Sequence, residues 1–211
     1  MRVGGMTAGR LAGGGGWGLM ALASVGVTLY AARYLIGDGV GPMGGNPFAA
    51  PWLPVHVAGA MLALLVGAAQ FVGPLRRRLP PAHRWTGRVY AVGCLVGGGA
   101  GLVLSLGSTG GPIAGVGFGL LAVVWIATTA LGWRAAMQRD FDAHRRWMIR
   151  SWALTLAAVT LRLYLPLAVM NGLPMPGAYI AISFLCWIPN LLVAEAYLRV
   201  RQPHSAGLPL G

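Results

Sequence analysis

Six apolar runs, each long enough to cross a bilayer as a helix, follow one another along the chain at roughly 17–36, 52–74, 86–108, 113–135, 147–170 and 177–198. A spanning helix needs about 20 apolar residues, because backbone polar groups inside the hydrocarbon must be satisfied within their own segment. The gaps carry turn chemistry. Asp38 to Pro51 is rich in Gly and Pro, Leu79-Pro80-Pro81 breaks the chain, and Ser108 to Pro112 and Asn171-Gly172 form turns. Charged residues are only 9% of the chain, against about 25% in soluble domains, so lipid is the expected solvent. The expected fold is all-α: one polytopic transmembrane bundle of about six spans over residues 1–211, with 202–211 as a polar tail that includes His204. The N-terminal segment resembles a signal peptide, but its apolar run exceeds the usual 7–15-residue core, so an uncleaved first span is expected.

All sixteen basic residues are arginine, and there is no lysine. The net charge of +12 suits a nucleic-acid binder in amount but not in distribution, because the arginines cluster between apolar runs. Arg76, Arg77, Arg78, Arg84 and Arg88 separate spans two and three, and Arg134, Arg139, Arg145, Arg146 and Arg150 separate spans four and five. Arg2 and Arg10 precede the first span; Arg199 and Arg201 follow the last. The opposite loops hold almost none. Under the positive-inside rule, both termini and the two basic loops face the cytoplasm of a bacterial inner membrane. Trp17, Trp85, Trp133 and Trp147 fall at the inner interface, and Trp52 and Tyr179 at the outer one.

The two basic loops lead into similar strings. Ala82-His83-Arg84-Trp85-Thr86-Gly87-Arg88-Val89-Tyr90-Ala91 is answered by Ala143-His144-Arg145-Arg146-Trp147-Met148-Ile149-Arg150-Ser151-Trp152-Ala153. Arg84 corresponds to Arg146, an offset of 62 positions, at which Arg-Trp-x-x-Arg-x-(Tyr/Trp)-Ala recurs. Hairpins 2–3 and 4–5 therefore read as parallel repeats about an axis along the membrane normal. Pro80 and Pro81 suit a first helical turn, and Asp142 is the expected N-cap of the fifth span. Both histidines then sit in first turns, where the macrodipole and the arginines disfavour the imidazolium. A neutral imidazole can ligate a metal.

Three readings of this cluster stay open. His83 and His144 are candidate axial ligands of haem b, with Arg84, Arg88, Arg145, Arg146 and Arg150 for its propionates. A quinone headgroup suits the same residues. So do anionic lipid headgroups, bound without any chemistry. His56, one turn inside the outer end of span two, is too far away to share their ligand shell; a helix carbonyl or interfacial water is its expected partner, and an outward-facing pocket or a second ligated group is the alternative. Arg162 stands inside span five with no acid at its depth, a costly position that points to a cavity, a carbonyl or an anion. Tyr164 beside it, and Asn190 with Pro189 interrupting span six, are further candidates for a small-anion transport site. Glu195 and Arg199, spaced i, i+4, read as a surface pair. Cys94 and Cys186 read as buried core thiols. Three Asp and one Glu supply no carboxylate pair for hydrolysis, and no phosphate loop is present.

The strings His56-x-x-Gly59, His83 to Tyr90, His144 to Ser151, Arg162-Leu163-Tyr164 and Trp187-Ile188-Pro189-Asn190 resemble a family of predicted bacterial membrane proteins, domain of unknown function 2306, over about residues 50–200. The resemblance implies a membrane bundle and no activity. The helix number and spaced histidines also resemble membrane b-type cytochromes more loosely; those commonly place paired histidines within their spans, and His56 has no such partner here.

Overall fold

The computed structural model describes residues 4–35 and 45–201. Arg2, most of the first loop including Asp38, and the 202–211 tail with His204 lie outside the described residues, as do the side chains of Arg10 and Trp17. The described residues form helices α1 (Gly4–Ala32), α2 (Ala49–Gln70), α3 (Gly73–Arg78), α4 (Pro80–Leu106), α5 (Gly111–Met137), α6 (Phe141–Thr155), α7 (Ala157–Met170), α8 (Gly177–Leu185) and α9 (Ile188–Val200). Among the described residues, five bodies are long and apolar enough to cross a membrane: α2, α4, α5, α6 with α7, and α8 with α9. The apolar part of α1, Gly18–Ala32, is shorter. The protein is a helical membrane bundle.

Local chemistry sets the helix limits, and several differ from the sequence expectation. The first helix stops at Ala32, not 36, in a turn over residues 33–35. The second stops at Gln70, not 74, because Pro74 has no N–H to offer the Gln70 carbonyl. Pro80 and Pro81 do occupy the first turn of α4. At the α5–α6 turn Arg139 takes a left-handed φ of 61°. The N-cap of α6 is Asp140, whose carboxylate accepts from Ala143 N at 2.9 Å, so Asp142 falls inside the first turn instead.

Span six is broken once, and span five carries a single turn residue at Leu156, across which Leu156 N–Trp152 O and Thr160 N–Leu156 O continue the helix. Thr160 ties the two spans together: its hydroxyl approaches the Leu156 and Ala157 carbonyls and also donates to Cys186 O across the helix pair. Pro189 denies the Leu185 carbonyl its usual donor, and Asn190 Nδ2 donates to Cys186 O at 3.1 Å and to Thr160 Oγ1 at 3.2 Å. The sixth span is thus interrupted at Cys186–Trp187, just before the Pro189-Asn190 pair expected to break it. The Cys186 carbonyl accepts from both the Thr160 and the Asn190 side chains.

Helix α2 packs against α4 through glycine. A Cβ on Gly59 would lie 2.6 Å from Gly97 N and 2.7 Å from Gly93 O, and one on Gly93 would lie 2.8 Å from Gly59 O. Such close backbone approach is how small residues bring membrane helices together.

The duplicated strings take matching places. Arg88 stacks over Trp85 at 4.9 Å, and Arg150 over Trp147 at 4.8 Å. One turn deeper, Tyr90 and its counterpart Trp152 are both buried and meet with ring centroids 6.4 Å apart. Ala91 and Ala153 are buried as well. Around this meeting lies a hydroxyl network. Thr155 gives its proton to Ser151 O (2.9 Å), so its oxygen accepts from Trp125 Nε1 and Tyr90 OH, both at 2.9 Å. Ser151 Oγ closes the network at 2.8 Å from Tyr90 OH and 2.7 Å from Thr129 Oγ1. Cys94 and Cys186 are buried and free, as expected.

Glu195 corrects the expectation of a pair with Arg199. Both of its oxygens engage Arg150 on α6, at 2.5 Å to Nε and 2.9 Å to Nη2, clamping α9 to α6. The side chains are 22% and 31% exposed, so the pair is worth more than a surface bridge, about 1–2 kcal/mol. Glu195→Gln lowers the melting temperature in detergent by a few degrees; an unchanged melting curve contradicts the clamp.

Candidate functional site

Half the bundle, at the end opposite the arginine-rich loops, encloses a cavity of about 710 Å³. Helix α1 contributes Tyr30 and Tyr34, α2 contributes His56, and α7 contributes Arg162. The deepest wall is formed by Trp125 of α5 with Leu154 and Thr155 of α6. The rest of the lining is mainly Leu, Val, Ala and Gly. A volume of 300–1,000 Å³, apolar with a few convergent polar groups, is the ordinary form of a small-molecule site.

Its polar wall has an unusual electrostatic character. Arg162 Nη1 donates to Ala158 O at 3.0 Å, one turn back on its own helix. Its Nε is buried and has no partner, and Nη2 forms no hydrogen bond among the described residues. Pro166, four residues on, leaves the Arg162 carbonyl without its usual helical donor. The acids among the described residues, Asp140, Asp142 and Glu195, all lie near the arginine-rich end. A charge placed in a span usually faces a partner or a cavity; here it lines the cavity, with no acid beside it among the described residues.

His56 completes the wall from α2. Its Nδ1 lies 2.8 Å from Gly97 O. A carbonyl only accepts, so Nδ1 carries the proton and Nε2 keeps a lone pair. The ring lies against Gly101, where a Cβ would come within 2.9 Å of Nδ1. The expectation of a helix carbonyl as partner is met, and the residue still lines the cavity. His56 and Arg162 are near enough to interact electrostatically.

Arg33 stands behind Tyr30 and Tyr34, hydrogen-bonded to both phenols and stacked 3.8 Å over the Tyr30 ring. These three residues were not singled out from sequence, although Tyr30, Arg33 and Tyr34 share one helix face by their i, i+3, i+4 spacing. Trp125 and Thr155 were missed as well; a Trp and a Thr inside apolar runs carry no sequence signal for a cavity floor. Of the other candidates, Tyr164 is half-buried and does not line the cavity, and Asn190 serves the α8–α9 break.

The histidines of the duplicated strings lie elsewhere, and neither lines the cavity. His144 Nδ1 is 2.8 Å from Gly132 O, which leaves its Nε2 free. His83 Nδ1 is buried without a partner. The two rings are near enough to interact electrostatically. Arg84, Arg88, Arg145 and Arg146 are exposed around them, whereas Arg150 is taken up by Glu195. Metal-binding groups of three or more His, Cys, Asp or Glu are absent among the described residues.

No curated protein and no solved structure matches the chain. A family model does, over residues 53–198, from the first turns of α2 to the end of α9, leaving α1 and its two cavity tyrosines outside. The chain therefore belongs to the predicted membrane protein family named domain of unknown function 2306.

Proposed function

We propose that the protein binds an anion in the cavity and carries it across the bilayer, with Arg162 as the binding group. The supporting observation is the Arg162 guanidinium, which lines the cavity with no acid beside it among the described residues. An isolated arginine at mid-span costs about 2.5–3.5 kcal/mol on insertion scales, a cost that an anionic ligand offsets. The arginine distribution supports an orientation in the bacterial inner membrane with the basic loops and both termini cytoplasmic, so the cavity belongs to the outer half. Basic residues exposed at the inner end suit anionic lipid headgroups. The test is uptake of radiolabelled anions, from chloride to short and longer carboxylates, into liposomes holding the intact protein. Saturable uptake by the wild type that Arg162→Gln abolishes supports the reading; uptake no different from empty liposomes contradicts it.

A second reading rests on a separate observation, the unpartnered His83 Nδ1 near a His144 whose Nε2 is free. A carbonyl-tied Nδ1 is the usual support of a metal-ligating imidazole. Under this reading the pair holds haem b or a quinone at the cytoplasmic side, and Arg84, Arg88, Arg145 and Arg146 meet its acidic or carbonyl groups. Arg150, already bound to Glu195, drops out. Purified protein then shows a Soret band, or a saturable quinone-binding isotherm, and His83→Ala and His144→Ala each remove it. A colourless protein that binds no added haem or quinone removes this reading.

A further inference from the structure

We propose that the occupant of the cavity is a monocarboxylate with an apolar tail, its head on the free guanidinium N–H groups of Arg162 and its tail toward Trp125 and Leu154. The inference rests on the anion reading above and narrows it to one ligand class.

The head follows from which guanidinium donors are spent. Nη1 gives one of its two N–H groups to Ala158 O, while Nε and Nη2 make no hydrogen bond among the described residues. The four free N–H groups lie in one plane as parallel pairs, on the Nε–Nη2 edge and on the Nη1–Nη2 edge. Either edge matches two oxygens on one carbon, the bidentate geometry of arginine and carboxylate. The same chain uses the Nε–Nη2 edge elsewhere: Arg150 Nε and Nη2 take the two oxygens of Glu195 at 2.5 and 2.9 Å. A spherical halide can bridge the same two N–H groups but cannot give each its own acceptor in line, as two carboxylate oxygens do. His56 adds an acceptor at the same wall, since its Nδ1 proton is spent on Gly97 O. It can take the hydroxyl of a protonated acid, so the acid entering in its neutral form is also held.

The tail follows from where the polar groups stop. Leu154 and Thr155 lie seven to eight residues deeper than Arg162 on the α6–α7 span, a distance of about 10 Å at 1.5 Å per residue. Between these levels the lining is apolar, with Leu121, Ala122, Ala157 and Leu161 along it. The polar atoms on the floor are already paired: Trp125 Nε1 donates to Thr155 Oγ1, and Thr155 donates to Ser151 O. A small hydrophilic anion would leave this volume unfilled. A medium-length alkyl or similarly slim apolar tail fills it, and each buried methylene contributes about 0.8 kcal/mol.

The test is equilibrium binding of radiolabelled decanoate to the intact protein in nanodiscs, with empty nanodiscs subtracted and unlabelled competitors added. Decanoate is expected to bind saturably at one site. Acetate should compete at least 100-fold more weakly for want of a tail, and decanol at least 10-fold more weakly for want of a carboxylate. Arg162→Gln should erase the difference between decanoate and decanol, and Trp125→Ala should weaken decanoate while sparing acetate. If decanol competes as well as decanoate, the cavity is merely apolar and the proposal is overturned. If chloride or acetate competes as well as decanoate, the anion reading stands and the ligand class is wrong. If no anion binds saturably, both fall. A monodisperse size-exclusion profile of each variant separates lost binding from lost folding.

Discussion

Gly59→Val is expected to cost about 3 kcal/mol or more and to leave little folded protein in mild detergent. The added Cβ would lie 2.6 Å from Gly97 N and 2.8 Å from Gly97 Cα. Those neighbours are backbone atoms of a helix, and no rotamer change moves them. The α2–α4 pair must separate by an ångström or more, which forfeits dispersion contacts along the whole seam. The separation also draws His56 away from Gly97 O, so one substitution harms both the bundle and the cavity wall. The control is on the partner helix α4: a Cβ on Gly99 would meet nothing within 4 Å, so Gly99→Ala should leave the melting temperature unchanged or raise it slightly. Equal melting temperatures for Gly59→Val and wild type would show that α2 and α4 do not approach as described.

The Arg162→Gln variant should lose saturable anion uptake completely while remaining folded. Glutamine keeps a hydrogen-bonding head of moderate length but loses the charge and the planar set of parallel N–H donors. Charge-assisted hydrogen bonds contribute about 1.5–3 kcal/mol each, so removing a bidentate pair lowers affinity by about two to four orders of magnitude. Folding should survive, because the guanidinium's hydrogen bond is to Ala158 O on its own helix and removing a charge from a span relieves a desolvation cost. Arg162→Lys separates charge from shape. Lysine keeps the charge as a point and loses the planar fork, so it should restore binding of a halide better than binding of a carboxylate. A stability loss as large as that of Gly59→Val would show that Arg162 is a structural residue, and this part of the account would fail.

Much of the bundle was legible because membrane solvation leaves few options. Long apolar runs must be helices, and Pro80-Pro81 and the glycine-rich turns mark their ends. What was not legible depended on contacts between segments. Counting along the chain paired Glu195 with Arg199, but the packing of α6 on α9 brings Arg150 to it. Asp140 outranks Asp142 as a cap because the backbone turns at Arg139, which no propensity singles out. The break before Trp187 rests on Thr160 reaching Cys186, a partner 26 residues away. At the cavity, Arg162 and His56 stood out from sequence as polar residues at one depth in apolar spans. Their common wall did not, because it needs α1, whose Tyr30 and Tyr34 close it from outside the repeat.

The most direct measurement of the central claim is a distance. Protein carrying ¹⁵N-labelled arginine is reconstituted with ¹³C-carboxyl decanoate and examined by solid-state dipolar recoupling NMR, with Arg162→Gln as the subtraction. A guanidinium nitrogen within about 4 Å of the carboxyl carbon, absent in the variant, is the predicted result for a bidentate pair. A carboxylate that binds but recouples only to arginines unaffected by the variant would contradict the account, placing the anion at the basic rim rather than in the cavity.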